Sequence, residues 1–563
     1  MDETYLSRKT YILLLIYLST SVGNLVNQAN TAVTNGTIGY LVWYFLASVF
    51  VGIPLAYMEL SLGQFTRRNV IDIWKIRPCL SHIGYIVVIW QIIILVYNHT
   101  VVTYLMQYFL VSFQKPIPYH TCGQWSYQNC NIIEKNYTVY WVCVRGKQKR
   151  MDFCNNIYTT YPEYQYYRSN AMQTQENAIS LNWRIYLTSG LVLVVVYFHN
   201  FKKLNSAKWF LIPFALYPYM GYFYLFVGSM QQKGLIQKYE DALDTGLQKF
   251  RRSGRITQII HQMIYGLGLG NGVMINISSK AAFRTPCYVN AVLSVLISLF
   301  FTIVAVFTTA LMSCPIEYKS INPILSLPMS FTFEKVPMML YEYDSNEYFL
   351  ITNYSAQTML GITTDIVIFF SLLEILTKKV PFARHVVATG YYRIMNIVST
   401  FIVITQCFCF ILWYGFERFS EDVHFMQGIK PNNYLKLSWA SAIFVLVYVI
   451  FSELYFVMKN PRGVGDKIGF FTLVTFVVLV VSLTGIKLLV AALKSKQAFW
   501  KAIEIDPSWG PKNKLLRRSR ALFSAQAMTK EYIYRQYQLQ AGIQERQKRA
   551  NLRVNYGDEL STN

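Results

Sequence analysis

Charge is what this chain has least of. Only 14% of its 563 residues are Asp, Glu, Lys or Arg, where a soluble domain carries about a quarter. Acidic residues are the scarcer kind, 29 against 52 basic, for a net charge of +23. With 53% hydrophobic residues, this composition excludes a water-soluble enzyme, and no nucleophile–base constellation appears. A basic excess in a soluble protein would point to nucleic acid. Here Lys and Arg collect in short loops and in the C-terminal segment, as in cytoplasmic parts of membrane proteins, so no nucleic-acid partner is expected. A small-residue cleavage site is also lacking after Tyr11–Leu18, so that run reads as a span and not as a signal peptide. No histidine pair at ligand spacing accompanies the cysteines, so no metal cofactor is expected.

What the chain does have is apolar runs of bilayer length. They fall at about 11–34, 40–63, 82–112, 182–200, 208–231, from 255 onward, 288–313, 357–377, 391–412, 435–458 and 467–493. The expected fold is an all-α polytopic membrane protein with about 11–12 transmembrane helices. Two runs are interrupted. The first loses its apolar character at Ser19–Asn24, and the sixth carries Gly266, Gly268, Gly270 and Gly272 at its centre. Non-helical backbone at membrane depth survives only where it lines a cavity or a bound ion. Alternating glycines inside a span point to an unwound centre. A phosphate-binding glycine loop would need a preceding strand, which is absent from the pattern. One broken helix in each half is the pattern of a transporter built from inverted repeats.

The segment 114–181 is polar and holds Cys122, Cys130, Cys143 and Cys154, which allow three pairings, together with the glycosylation sequon at Asn136. It is expected outside the cell. A further sequon stands at Asn353; Asn98-His-Thr is one in spelling only, because of its depth. Residues 1–10 are expected as a cytoplasmic N-terminus, 11–493 as the transmembrane domain and 494–563 as a basic cytoplasmic tail.

The run Gly52-Ile-Pro, Met58-Glu-Leu and Gly63-Gln-Phe-Thr-Arg-Arg68, with Gly23-Asn24 and Asn35-Gly36 before it, resembles spans 1 and 2 of the neurotransmitter:sodium symporters, solute carrier family 6. Trp74–Pro78, Gly266–Gly272 and Trp413–Phe419 extend the resemblance over about residues 5–495. It implies a symporter-type inverted-repeat bundle with helices 1 and 6 broken, and a disulfide between Cys122 and Cys130. It also implies sites. A sodium site would take carbonyls of Tyr17, Thr20 and Leu360 and hydroxyls of Thr363 and Thr364; the rival reading has both hydroxyls bonding back to the helix. A second sodium site would use Ser19 and Asn24, but Gly266 and Ser298 stand where the family has a hydroxyl and an amide. Chloride is a further co-transported candidate, at Tyr44, Gln262 and Thr302; an ordinary buried network explains those three equally well. The substrate would lie at the breaks, by Ser21, Gly23, Tyr97, Gly268, Gly270 and Asn271. Monoamine carriers have Asp where Ser21 stands, so amino-acid-like solutes are favoured.

The resemblance has gaps. The outer-gate arginine is Asn27. The inner-gate pair is replaced by Asp2 and Lys378, a candidate pair of swapped sign. Between Pro381 and Trp413 there is room for one span where the family has two. The expected function is sodium-dependent secondary transport of a small amino acid or related solute across the plasma membrane. The alternative is a transport-inactive relative acting as a binding, trafficking or regulatory partner.

Overall fold

The computed structural model describes residues 6–21, 28, 31–32, 37–123, 125–126, 130, 162–171, 183–201, 208–231, 256–313, 331–337, 340, 347–379, 392–459 and 464–523. All of its regular structure is helical. The principal helices are α1 (Arg8–Ser19), α2 (Thr37–Thr66, with a π turn at Ser48–Gly52), α3 (Ile83–Val111), α4 (Trp183–Phe201), α5 (Lys208–Met230), α6 (Ile256–Gly266), α7 (Val273–Ser278), α8 (Cys287–Ser313) and α9 (Glu347–Lys379). There follow α10 (Tyr392–Cys407, continued as a π segment Phe408–Trp413), α11 (Phe416–Gln427), α12 (Asn433–Lys459), α13 (Val464–Lys494) and α14 (Lys496–Ile503). The chain divides into Met1–Trp509 and Gly510–Asn563, the latter holding α15 (Lys514–Ala521).

Among the described residues 6 helices are long and apolar enough to cross a membrane, and 7 if α10 and α11, bent by 91°, form one span. Part of the difference from the expected 11–12 is that a broken span leaves halves too short to cross: α1, α6 and α7 have 12, 11 and 6 residues, and α4 counts only as a shorter apolar helix. The chain is an all-helical, multi-pass membrane protein.

One core runs from α1 through α2, α7, α8, α10 and α12 to the turns at 70–80, with Trp74 and Trp439 fully buried. The small residues of α2 let α7 approach closely. A Cβ on Gly63 would stand 2.2 Å from the Ile275 carbonyl oxygen and 2.0 Å from Ser278 Oγ. Asn276 then ties α7 on both sides, accepting from Val70 N at 2.8 Å and donating to Ser371 Oγ of α9 at 2.6 Å. A second core is largely aromatic, with Tyr108 against Tyr119, Tyr166, Phe333 and Tyr354. Cys122 and Cys130 are disulfide-bonded, as the resemblance implies; Asn136, Cys143 and Cys154 lie outside the described residues.

The two ends of the bundle can be told apart. At one, Lys115 just past α3 pairs with Glu347 at the start of α9, 3.0 Å apart. At the other, the turns at 67–82 meet the chain's C-terminal part. Arg77 donates to the carbonyls of Trp413 (2.8 Å) and Ile503, and lies 4.3 Å over the Trp413 ring. Asp506 N donates to Ile76 O at 2.9 Å, so residues 495–509 pack on the 67–82 turns instead of leaving the unit at 494. Leu6 N donates to Lys280 O, beside the Gln64–Phe283 contact, so the start of α1 is at this end too.

α9 begins at Glu347, not near 357, because Leu350 and Tyr354, and Ala356 and Leu360, recur at four-residue spacing and bury against the aromatic cluster. This corrects the expectation for Asn353. It is 3% exposed inside α9, with Gln357 Nε2 donating to its Oδ1 at 3.2 Å, and offers no accessible amide for a glycan. The single span expected before Trp413 is α10. Its Ser399 accepts from Trp90 Nε1 of α3 at 3.1 Å, and its Phe410 lies on Trp74. α9 and α10 therefore both run toward the 67–82 end. Residues 380–391, which join them, lie outside the described set.

Candidate functional site

Both interrupted spans are interrupted in the structure. α1 stops at Ser19; Thr20 leaves helical geometry (φ −118°, ψ 58°) while its N–H and hydroxyl both return to the Ile16 carbonyl. α6 stops at Gly266, and Gly268, Gly270 and Gly272 take positive φ of 69°, 78° and 75° before α7 begins. Only glycine adopts such geometry at no steric cost, which is why three alternate here. The breaks meet. A Cβ on Gly268 would stand 2.7 Å from Leu18 Cδ1, and one on Gly270 2.5 Å from the Ser399 carbonyl oxygen.

The unwound segment is held by a residue that sequence reasoning passed over. Glu59 of α2 is 1% exposed, and its Oε1 accepts from Gly270 N at 2.8 Å. The Gln406 side chain of α10 also approaches this carboxylate. An acidic residue inside the apolar run Gly52–Leu62 was the available signal, since ionisable groups in spans mark functional positions by default. Asn271 caps the other side, its Oδ1 accepting from Val273 N at 2.9 Å.

Of the expected substrate residues, Gly268, Gly270 and Asn271 are brought together at the α6–α7 break. Ser21 lies at the α1 break, 6% exposed, its hydroxyl without a partner among the described residues. Tyr97 is half-buried on α3. Gly23, Asn24, Asn27 and Asp2 lie outside the described residues, as does the Lys378 side chain.

For the first sodium set, Tyr17, Thr20, Leu360, Thr363 and Thr364 are all buried, and α1 packs on α9. Both threonine hydroxyls donate to the Leu360 carbonyl, at 2.8 and 2.9 Å. This is the arrangement of the rival reading, and it occupies one carbonyl that an ion would use. In the second set, Ser19 Oγ donates to Ile16 O at 3.2 Å and Ser298 is buried. In the chloride set, Gln262 is committed at both ends, accepting from Tyr40 at 2.8 Å and donating to Thr31 at 2.6 Å. Tyr44 accepts from Gln28 at 3.2 Å, and its hydroxyl also faces those of Thr302 and Ser298, both buried. Gln262 thus belongs to a satisfied network, while Tyr44 and Thr302 keep capacity for another partner.

A second polar cluster missed in the sequence lies between α3, α4 and α9. Asp365, directly after Thr364, is 1% exposed on its side chain; its Oδ1 accepts from Asn98 Nδ2 at 2.8 Å and its Oδ2 faces His99 Nδ1 at 3.3 Å. The other ring nitrogen of His99 is 2.9 Å from Ser189 Oγ.

Comparison with known proteins agrees with the resemblance read from Gly52–Arg68. The model of the sodium:neurotransmitter symporter family matches residues 2–385. The sodium-dependent serotonin transporter of Drosophila melanogaster is 23% identical over 491 residues, 80% of this chain and 76% of the relative. The human sodium- and chloride-dependent neutral and basic amino acid transporter B(0+) is 22% identical over 586 residues, 91% and 89% of the two chains. Its mouse counterpart is 22% identical over 507 residues, 79% and 78%. On this match across more than half its length, the chain belongs to the sodium:neurotransmitter symporter family.

Proposed function

We propose that this symporter-family chain carries a small amino acid or related solute across the plasma membrane, driven by sodium. The carrying observation is the meeting of the two breaks, with Leu18 against Gly268, while the buried hydroxyls of Thr363 and Thr364 stand on α9, on which α1 packs. Backbone freed from helical bonding at that depth supplies the oxygen and N–H groups that a hard cation and a carboxylate need. Ser21 in place of an acid favours a zwitterionic solute over a monoamine. The wide match to a relative named for neutral and basic amino acids fits the same solute class. Sodium is bound chiefly through α1 and α9, because Gly266 offers no side chain to the second ion. Chloride, if carried, is held by Tyr44 and Thr302.

The second reading is a transport-inactive relative that acts as a membrane partner. One observation favours it: both α9 hydroxyls already bond the Leu360 carbonyl. Sodium-dependent uptake across an amino-acid panel, in cells with the protein confirmed at the surface, decides between them. Transport predicts uptake that needs sodium and is lost on Thr363→Val with Thr364→Val. Absence of any sodium-dependent flux from surface-confirmed protein supports the partner reading.

A further inference from the structure

We propose that the Asn276 side chain is a latch that closes the 67–82 end of the bundle by holding α7 against the helices α3 and α9. The closure stands on the geometry alone; that it opens during transport rests on the reading above.

α7 is a short piece with no helix continuing it at either end. It has 6 residues, with the glycine break before it and turns at 279–286 behind it. Backbone of that kind can absorb the φ and ψ changes of a hinge. One side of α7 is held to α2, where Gly63 admits it closely and Glu59 binds Gly270 N just before it. The other side meets α9 and the short helix Val70–Ile73. That short helix lies against α3: a Cβ on Gly84 would stand 2.6 Å from Ile71 Cα. The contacts on this side include much apolar surface. A Cβ on Gly272, at the start of α7, would stand 2.6 Å from Val70 Cγ2 and 3.2 Å from Val87 Cγ1. Val367, Ile368 and Ile375 of α9 belong to the same buried core as Val273 and Ile277. Such attraction has no direction, so by itself it does not fix where a short helix comes to rest.

Asn276 supplies the direction. Its Oδ1 accepts from Val70 N at 2.8 Å and its Nδ2 donates to Ser371 Oγ at 2.6 Å. α7 has two polar side chains, and the other, Ser278, bonds its own helix at Ile275 O, 3.1 Å away. The side-chain hydrogen bonds that leave α7 therefore pass through this one residue. Asn276 is 1% exposed and Ser371 0%. A polar group so deeply buried must stay bonded, which favours one register of α7 over its neighbours.

The partners are also suited to release. Val70 N–H stands in the first turn of its helix, where no carbonyl of that helix can accept from it. Ser371 Oγ accepts a second bond, from Gln91 Nε2 of α3 at 2.7 Å. That bond runs between α3 and α9 and does not involve α7. If α7 swings away, Ser371 keeps Gln91, while Val70 N and Asn276 meet the water that the opening admits. The bonds lost are ones that water replaces, so the latch can close again.

The test uses the full chain in lipid nanodiscs, a water-soluble maleimide and Ile375→Cys as reporter. Ile375 is fully buried on α9, one turn beyond Ser371 toward the 67–82 end. Labelling of the native cysteines is subtracted with protein that lacks the reporter. The labelling rate is expected to rise about tenfold in Asn276→Ala and about threefold in Ser371→Ala, for two and one net hydrogen bonds lost. If Asn276→Ala does not fold, Ser371→Ala reads the same contact from the other helix. Gln91→Leu removes the bond to the same hydroxyl that does not involve α7, and is expected to leave the rate unchanged. A second reporter, Leu350→Cys, buried near the opposite end of α9, is expected to be unmoved in every variant. An unchanged Ile375→Cys rate in the latch variants overturns the proposal. So does an equal rise at Leu350→Cys, which is general loosening, and so does an equal rise in Gln91→Leu. Labelling does not require transport, so failure of the latch leaves the uptake test of the proposed function standing.

Discussion

Glu59 and Asp365 are both buried carboxylates on otherwise apolar helices, yet they are held in opposite ways. Glu59 takes its short hydrogen bond from backbone, the N–H of Gly270 in the unwound segment, with Gln406 of α10 beside it. Asp365 takes its bonds from side chains, Asn98 and His99 of a neighbouring intact helix. The first arrangement fixes a shape, because the donor exists only while the α6–α7 break keeps its geometry. The second ties three helices together, because His99 also reaches Ser189 of α4. A buried acid is thus no single kind of site; what surrounds it decides whether it braces a backbone break or joins neighbouring helices.

The comparison can be broken by experiment. Glu59→Ala strands a buried N–H and removes the brace of the break, and should cost about 3 kcal/mol, read as a large drop in thermal midpoint or loss of surface protein. Asp365→Ala leaves Asn98 and His99 without their acceptor and should cost about 2 kcal/mol in the same melt. A more damaging Asp365→Ala would mean that Asp365 is the structural brace of the two. Amide replacements sharpen the contrast. Glu59→Gln keeps an oxygen for Gly270 N and should cost about 1 kcal/mol. Asp365→Asn keeps an oxygen that can accept from Asn98 or His99 and should cost a similar amount. The smallest effect is expected for Asn98→Ala, about 1 kcal/mol or less, since His99 still faces the carboxylate.

Much of the scaffold was legible. The break in α1 could be read because small and polar residues at Ser19–Asn24 interrupt an apolar run, and the break in α6 because glycines alternate from Gly266 to Gly272. The shortage of chain before Trp413 was legible as a missing span, and among the described residues α10 is the one helix found there. The braces were not legible. Glu59 and Gly270 are 211 residues apart, and no local pattern links them. Asp365 was hidden by its neighbours: Thr363 and Thr364 drew attention as family hydroxyls, while its partners His99 and Ser189 lie on two other helices. Asn353 misled because a three-residue sequon carries no information on burial, and the helix that buries it is set by Leu350 and Tyr354.

The shared direction of α9 and α10 has a practical consequence. Two consecutive helices pointing the same way restore the parity that an odd number of spans would upset, so the contact of Leu6 with Lys280 and that of Asp506 with Ile76 lie on one face. Epitopes inserted beside Leu6 and beside Lys501 should therefore be stained by antibody together or not at all in intact cells, and both should appear once the membrane is permeabilised.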